Sequence, residues 1–563
     1  MSEEILHVFR QTLKSFKFPV SESFAETFAI DRFNKKFEEP SSDRVNQLHV
    51  DAWDAWILTD DLLPGEIHLP KGNWYKARES IHSLLPVQLD RKIISFPRGS
   101  EFFPTRGHNS LESRLCASKW SCTDGNFELF ARLCYRHKGL KRAVRNRYAD
   151  WHSKTFPDLR KIDTDRFLFS KFKANRRSGF NIFKWKLQQC TTIVHGSRFS
   201  TVPKNNEKRR PINVEPFGNL LSQRLIGNHI RDELKRIFDV DLDTLATKHR
   251  QRISDPSVAT IDLSNASDSV SLALCKFLLP SHIYKLVSDS RSPMIYSNVT
   301  KCWHLPKKVS SMGNGFTFEL MTLILTAIGR TLDPECTVFG DDIIIRNDCA
   351  AEMIQLIESV GFKVNVDKTF ISSSFRESCG ANFQDGYGYI ESYDFHWPNH
   401  IGDCVMVLNK CRRLSFKYRS FKNLYHNLCR FIPKALHGGR DYEFDRMDPI
   451  LLIGHEAKEV NFPPYFLTGK LGGSIIFNED ILCKLADLGY DPSQFRLIKG
   501  FSYVPELRSS YKTDLKSRDW AKYEMYLESG RRVKDVITDK GRWVSVSYIS
   551  NGSWTFRTKN LLV

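Results

Sequence analysis

Hydrophobic and polar positions alternate most regularly in the middle of the chain. Val258–Ala259–Thr260–Ile261 is a short β-rich run ending at Asp262. Beyond it Val270, Ala273, Leu274, Phe277 and Leu278 recur at the i, i+3, i+4 spacing of one helix face, and Pro280 closes the run. From about Phe316 to Arg330 the chain is apolar on most sides, which predicts a buried helix. Thr337–Val338–Phe339 and Ile343–Ile344–Ile345 flank Gly340–Asp341–Asp342, the pattern of a β-hairpin. Ala350, Met353, Ile354, Ile357 and Val360 predict a third helix, with Gly361 where a C-terminal glycine cap belongs. Phe362, Val364 and Val366 then alternate as a strand. The order strand, helix, helix, hairpin, helix, strand predicts an α+β sheet with helices packed on one face.

Outside this block the patterning is weaker. The first 100 residues are rich in aromatics and irregular in period, and no function is legible in them. Basic residues cluster from Arg136 to Arg177, interleaved with Tyr148, Trp151, Phe167, Phe169 and Phe172. Such a region can offset phosphate charge and stack on bases, or it can be a solvated helix face with its core aromatics. From about Ser392 onward short helical patterns mix with basic patches such as Lys410–Cys411–Arg412–Arg413, and Trp543 to Trp554 is strand-like.

Composition narrows the class. A chain of 563 residues is long enough for several subdomains, and 41% hydrophobic with 26% charged residues excludes wholesale disorder. The net charge of +18 points to a polyanionic partner, although charge can also serve solubility alone. The 13 cysteines include no C-x-x-C pair, which reads as reduced thiols in a cytosolic compartment. His396 and His400 are separated by Pro398, which argues against a helical metal pair. The N-terminus lacks the basic start and apolar core of a signal peptide, and the most apolar run, Leu320 to Ile328, is too short to span a bilayer. A soluble, intracellular protein with no membrane partner is the expectation.

The candidate chemistry lies at the strand ends. Asp262 ends one predicted strand, and Asp341 and Asp342 occupy the hairpin turn. If the strands are neighbours, three carboxylates converge at one sheet edge, where they could hold the two divalent ions of a phosphoryl-transfer site. A bare Gly-Asp-Asp is a weak signal, because a surface turn has the same composition. Its apolar flanks and the earlier strand ending in Asp262 strengthen it. Gly340 is expected to permit the tight turn and to leave room for an incoming 3′ end.

Four longer segments carry a resemblance. They are Asp262–Leu263–Ser264–Asn265–Ala266–Ser267–Asp268, Ser311–Met312–Gly313–Asn314–Gly315–Phe316–Thr317, Gly340–Asp341–Asp342 and Phe375–Arg376–Glu377–Ser378–Cys379–Gly380. In this order they resemble the replicase catalytic subunits of the leviviruses, the small RNA bacteriophages, and the general motifs of right-hand viral RNA polymerases. The resemblance is dense from about Thr201 to Gly380 and thin elsewhere.

It implies an α+β right-hand polymerase architecture of fingers, palm and thumb, with an antiparallel palm sheet backed by helices. The implied divisions are residues 1–256 for the N-terminal region and fingers, 257–391 for the palm, and 392–563 for the thumb and C-terminal region. The implied activity is RNA-directed RNA synthesis by two-metal nucleotidyl transfer, with two Mg2+ ions replaceable by Mn2+. Asp262, Asp341 and Asp342 resemble the metal-binding aspartates. Asp268 is similar to the aspartate that senses the ribose 2′-hydroxyl, a helix N-cap being its plainer role. Lys204 and Arg210, in the basic motif 201–216, fall where the family holds the triphosphate, although Glu207 replaces a frequent lysine; Lys208 or Arg209 could supply that charge. Ser311 and Asn314 border the nascent base pair or cap the buried helix, and Met321 stands where other polymerases carry an asparagine. Lys368 matches the lysine assigned to protonate pyrophosphate, an exposed salt bridge being the alternative. Phe375 to Gly380 would support the primer strand, with Arg376 on its backbone and Cys379 packed.

Implied partners are an RNA template and product, ribonucleoside triphosphates, and the bacterial host's elongation factors Tu and Ts with a small-subunit ribosomal protein. The implied location is the cytoplasm of the infected bacterium. A reverse transcriptase is disfavoured by the carboxylate at Asp268 and the glycine before Asp341, and an inactive RNA-binding core by the intact acidic positions.

Overall fold

The computed structural model describes residues 2–16, 42–69, 72–87, 120–158, 176–204, 207–390, 401–415 and 419–432, a few isolated positions, and three later strands, Tyr465–Thr468, Gly541–Tyr548 and Trp554–Thr558. His396, His400, Phe167, Phe169 and Phe172 lie outside the described residues.

Helices α1 (Ser2–Ser15), α2 (Ser42–Asp61) and α3 (Asn73–His82) come first, followed by strand β1 (Trp120–Cys122) and helices α4 (Asp124–Arg136), α5 (Lys138–Thr155) and α6 (Arg176–Gln189). Strand β2 (Thr191–Ile193) pairs in parallel with β1. The long strands β3 (Gly196–Pro203) and β4 (Arg209–Val214) form an antiparallel hairpin, and α7 (Phe217–Phe238) and α8 (Leu242–Arg252) lead to the central sheet.

Its first strand, β5 (Val258–Ile261), is continued past Asp262 by β6 (Leu263–Ser264). Helices α9 (Leu272–Leu278) and α10 (Ser281–Ser290) follow, then strands β7 (Met294–Tyr296) and β8 (Trp303–His304), which extend the β3–β4 hairpin into a four-stranded sheet. Helix α11 (Thr317–Gly329) precedes the hairpin of β9 (Thr337–Phe339) and β10 (Asp342–Arg346). Helix α12 (Ala350–Glu358), strand β11 (Lys363–Val364) and a small sheet of β12 (Phe375–Ser378), β13 (Ala381–Gln384) and β14 (Gly388–Ile390) complete the block. Helices α13 (Ile401–Leu414) and α14 (Arg419–Cys429) lie beyond it.

The architecture is α+β. The central sheet has the order β5-β10-β9, antiparallel throughout, with Ile343 opposite Ile261 and Asp342 opposite Phe339. Strand alternation explains its burial. Ile343 and Ile345 face the main core with Leu320, Ile324 and Ile328 of α11, whereas Ile344 turns the other way onto Val258 and Ile253, against Ala381 and Phe383. The sheet is therefore covered on both faces, by helices on one and by the β12–β14 sheet on the other. The expected single covered face is incomplete: an uninterrupted Ile-Ile-Ile run already meant burial on both sides.

Two local expectations also change. Helix α9 starts at Leu272, because the Ser271 hydroxyl accepts the Leu274 N–H and caps it. The strand expected from Phe362 to Val366 shortens to Lys363–Val364 and turns into a 3-10 helix at Val366–Lys368. Gly361 does adopt a left-handed φ of 101° after α12. Among the described residues no helix is long and apolar enough to cross a membrane, and every described cysteine is a free thiol.

Candidate active site

The register brings the acidic strand ends together. Ile261 pairs with Ile343 in an antiparallel ladder, so the next rung sets Asp262 beside Asp342. Phe339 pairs with Asp342, leaving Gly340 and Asp341 as a two-residue turn. Gly340 has a φ of 67°, and a Cβ there would lie 2.5 Å from the Phe318 ring. Its N–H donates to the Thr322 hydroxyl at 3.0 Å, which seats the turn on α11. A side chain at Gly340 would meet the Phe318 ring, so packing against α11 as well as the turn calls for glycine here.

Asp341 is exposed, and Asp262 and Asp342 are half-buried. Asn365 Nδ2 donates to Asp262 Oδ2 at 2.7 Å, and the Asn365 N–H reaches the Asp262 carbonyl at 2.9 Å. The Cys379 N–H donates to Asp342 Oδ2 at 3.1 Å. Burial, then the charges of Asp341 and Asp262, push the Asp342 carboxyl up to about 7, against the Cys379 hydrogen bond. Burial also raises Asp262, opposed by the Lys368 ammonium and Asn365 and reinforced by Asp341 and Glu377. Among the described residues no group of three or more His, Cys, Asp or Glu forms a ready-made cation site. The donor chemistry nonetheless fits a divalent ion: oxygen-only ligands on adjoining strand ends, whose negative charge is so poorly compensated that two of them hold protons more tightly than usual.

Lys368 closes the 3-10 turn next to this cluster, with Nζ 3.4 Å from Glu377 Oε1. Glu377 is buried on β12, and its backbone N–H donates to Thr260 Oγ1 at 3.4 Å. Lys204 and Arg210 are exposed near the tip of the β3–β4 hairpin. The Lys204 pKa is lowered by partial desolvation and by Arg210 and Lys368, and raised by Asp262, so this hairpin reaches the acidic cluster. Arg209 is committed elsewhere: Nε donates to Thr201 Oγ1 at 2.6 Å and Nη2 to the Thr201 carbonyl at 3.1 Å. Lys208, the other expected substitute for a charge at Glu207, is exposed.

Asp268 does not cap α9, a role taken by Ser271. It is buried in a 3-10 turn, Ala266–Asp268, with Lys308 Nζ 3.7 Å from its Oδ1. Burial raises its pKa, and Lys308, Ser311 and Trp56 oppose that rise. Oδ1 has no hydrogen-bond partner, a costly state for a buried carboxylate. Ser311 is buried, and its hydroxyl accepts the Trp56 indole N–H at 3.0 Å. Asn314 Oδ1 accepts the Phe316 N–H at 3.0 Å just before α11, while its Nδ2 is buried without a partner. The structure thus brings Asp268 and Ser311 together, with Asn314 in the same loop.

The sequence of residues 166–449 matches the family described as "RNA replicase, beta-chain". That is half of the chain. This chain belongs to the RNA replicase beta-chain family. It is 38% identical over 246 residues to the RNA-directed RNA polymerase subunit beta of Qbeta virus (strain MX1), covering 40% of this chain and 41% of that protein. It is 36% identical over 284 residues to the RNA-directed RNA polymerase beta chain of Enterobacteria phage fr, covering 47% and 51%. The match thus spans about half or less of these relatives' length. An insertion-loop deletion mutant of the RNA-dependent RNA polymerase of a human picorbirnavirus overlaps 77% of this chain and 85% of its own. The identity there is 13% and the TM-score 0.40, too low to bear on the fold.

Several residues of this replicase beta-chain acquire a place that sequence reading did not give them. Glu377 sits inside a quoted motif and Asn365 lies three residues before Lys368, but only their contacts with Lys368 and Asp262 single them out. Arg376, expected on a primer backbone, is buried: Nε donates to the Ile253 carbonyl at 2.7 Å, Nη1 to the Ser373 carbonyl at 2.6 Å, and Nη2 pairs with Asp385. Cys379, expected only to pack, adopts a φ of 50° and offers its N–H to Asp342. Tyr148 is fully buried between Trp151 and Trp185, so its ring is not offered to bases. His249 is buried beneath the hairpin, with Nδ1 2.8 Å from Ser378 Oγ, and burial pushes its pKa down to about 3.

Proposed function

We propose that this chain is an RNA-directed RNA polymerase, the catalytic subunit of a phage replicase, copying single-stranded RNA by two-metal nucleotidyl transfer. The observation that carries the reading is the strand register: it sets Asp262 beside Asp342 with Asp341 in the adjoining turn, and the charge of Asp262 is felt by Lys204 on the basic hairpin. Asp262 and Asp341 would hold the ions, with Asp342 in support. Bound Mg2+, or Mn2+ in its place, would stabilise charge on the attacking and leaving oxygens of an in-line displacement.

The chain's own groups do the positioning. Lys204 and Arg210 bind triphosphate oxygens, for which ammonium and guanidinium groups are suited. Asn365 orients Asp262, and the Cys379 N–H orients Asp342. Asp268 offers an acceptor to the ribose 2′-hydroxyl once its turn opens, since the carboxylate is shut from solvent in the free protein. Ser311 and Asn314 border the nascent base pair. Lys368, exchanging Glu377 for a phosphate oxygen, donates a proton to the departing pyrophosphate. Residues 1–256 serve as N-terminal region and fingers, 257–391 as palm, and 392–563 as thumb and C-terminal region. The partners are RNA, ribonucleoside triphosphates, host elongation factors Tu and Ts and a small-subunit ribosomal protein, in the host cytoplasm.

The test is extension of a preformed RNA primer–template in magnesium by the full chain co-purified with host factors, with ribo- or deoxyribonucleotides. Ribonucleotide-dependent extension is the expected result; preference for deoxyribonucleotides, or RNA binding without extension, overturns it. Within this assay Asp268→Ala is expected to lower discrimination between ribo- and deoxyribonucleotide by about tenfold to a hundredfold, the worth of a hydrogen bond to a charged group.

A further inference from the structure

The first 100 residues show no function in their sequence, yet α2 reaches the nucleotide-selecting side of the site. The Trp56 indole N–H donates to Ser311 Oγ at 3.0 Å, and the main-chain carbonyl of Trp56 accepts from Lys308 Nζ, also at 3.0 Å. The same ammonium lies 3.7 Å from the Trp56 ring centroid and 3.7 Å from Asp268 Oδ1. Asp60, one turn further along α2, accepts the N–H groups of Lys307 at 3.1 Å and Lys308 at 3.0 Å, and His304 Nε2 lies 3.0 Å from it. A second contact joins α2 to the Asp262–Asp268 segment, where Asn265 Nδ2 donates to Thr59 Oγ1 at 3.3 Å.

Trp56, Lys308, Asp268 and Ser311 are all buried, Lys308 to 1% exposure. A buried ammonium is costly unless it is paired, and here its partners are a carboxylate, an indole face and a carbonyl. A core of apolar residues would be as stable without that cost. The polar groups converge instead on the carboxylate whose Oδ1 lacks a hydrogen bond.

We propose that Trp56 and Lys308 are positioning residues for ribose selection, the indole fixing Ser311 and the ammonium fixing Asp268 in its charged, accepting form. The inference rests on the polymerase reading above. In it α2 is a support for the nucleotide site supplied by the N-terminal region.

The experiment is incorporation by the full chain of one ribonucleotide in competition with its 2′-deoxy analogue. The ratio of the two products does not depend on the fraction of protein that is folded. Trp56→Phe keeps a ring for Lys308 and removes the N–H donor together with part of the indole's bulk. It is expected to lower the ribo/deoxy ratio roughly fivefold, the scale of one hydrogen bond. Lys308→Met, of similar length without the charge, is expected to lower it at least as much and serves if Trp56→Phe does not fold. Trp53→Phe, altering the ring stacked on Trp56 at 5.3 Å, is expected to leave the ratio unchanged. Slower extension at an unchanged ratio in both Trp56→Phe and Lys308→Met means a merely structural role and overturns the proposal. If the unmutated protein extends no primer, the polymerase reading itself falls and takes the proposal with it.

Discussion

Asp341→Asn is expected to abolish primer extension, by about a thousandfold or more, while leaving the fold intact. The two halves of that expectation have separate causes. Asp341 is exposed in a two-residue turn, so the neutral isostere disturbs no packing, and surface changes of this kind cost little. Its charge, however, adds to that of Asp262 and Asp342 at the strand ends. A cation held there would supply several kcal/mol to the transition state, and each ~1.4 kcal/mol is a factor of ten in rate. The check is single-nucleotide extension by the wild-type and variant proteins alongside their thermal melts. An unchanged melt with extension lost supports the assignment. If the Asp341→Asn variant still extends within about tenfold of the wild-type rate, Asp341 leaves the ion-binding set.

That site was legible in the sequence because its signals are local. Strands have a period of two, helices a period near 3.6, and both Val258–Asp262 and Thr337–Ile345 place their acids where an apolar run stops. The packing partners of those strands were not legible, because contacts between distant segments leave no periodic trace. Phe318 against Gly340 is one case, and Trp56 against Ser311, 255 positions away, is another. Charge misled in a third. Arg376 interrupts a buried strand and reads as a residue for phosphate, but Asp385 pairs with it, and carbonyls of Ile253 and Ser373 take its other donors. A short motif cannot tell an arginine that meets RNA from one that closes a sheet. Aromatic side chains raise the same ambiguity: Tyr148 sits in a basic stretch and is wholly interior.

The pH dependence of stability offers a test of the carboxylate cluster that needs no RNA. Asp342 titrates near 7 in the folded protein, against an ordinary 3.8. Between those values the native state holds a proton that the unfolded chain has lost, so stability must fall as pH rises through this window. The loss is complete above pH 7 and is on the order of a few kcal/mol. Glu215, buried and hydrogen-bonded by Ser292 and Gln223, is also pushed up to about 7 and slopes the same way. His249, lowered to about 3 by burial, works oppositely: its contribution is present above 6.5 and fades as pH falls toward 3. The difference between wild type and Asp342→Asn isolates the one group, since Glu215 and His249 are common to both. In chelator-treated protein the variant is expected to gain on the wild type as pH rises from about 4 to about 7. Magnesium should narrow that gap at the alkaline end, where the cation replaces the missing proton, and have little effect at the acid end, where the carboxyl is already neutral. A gap that does not change with pH would mean that Asp342 is ionised without strain and that the strand ends are less crowded with charge than their register implies.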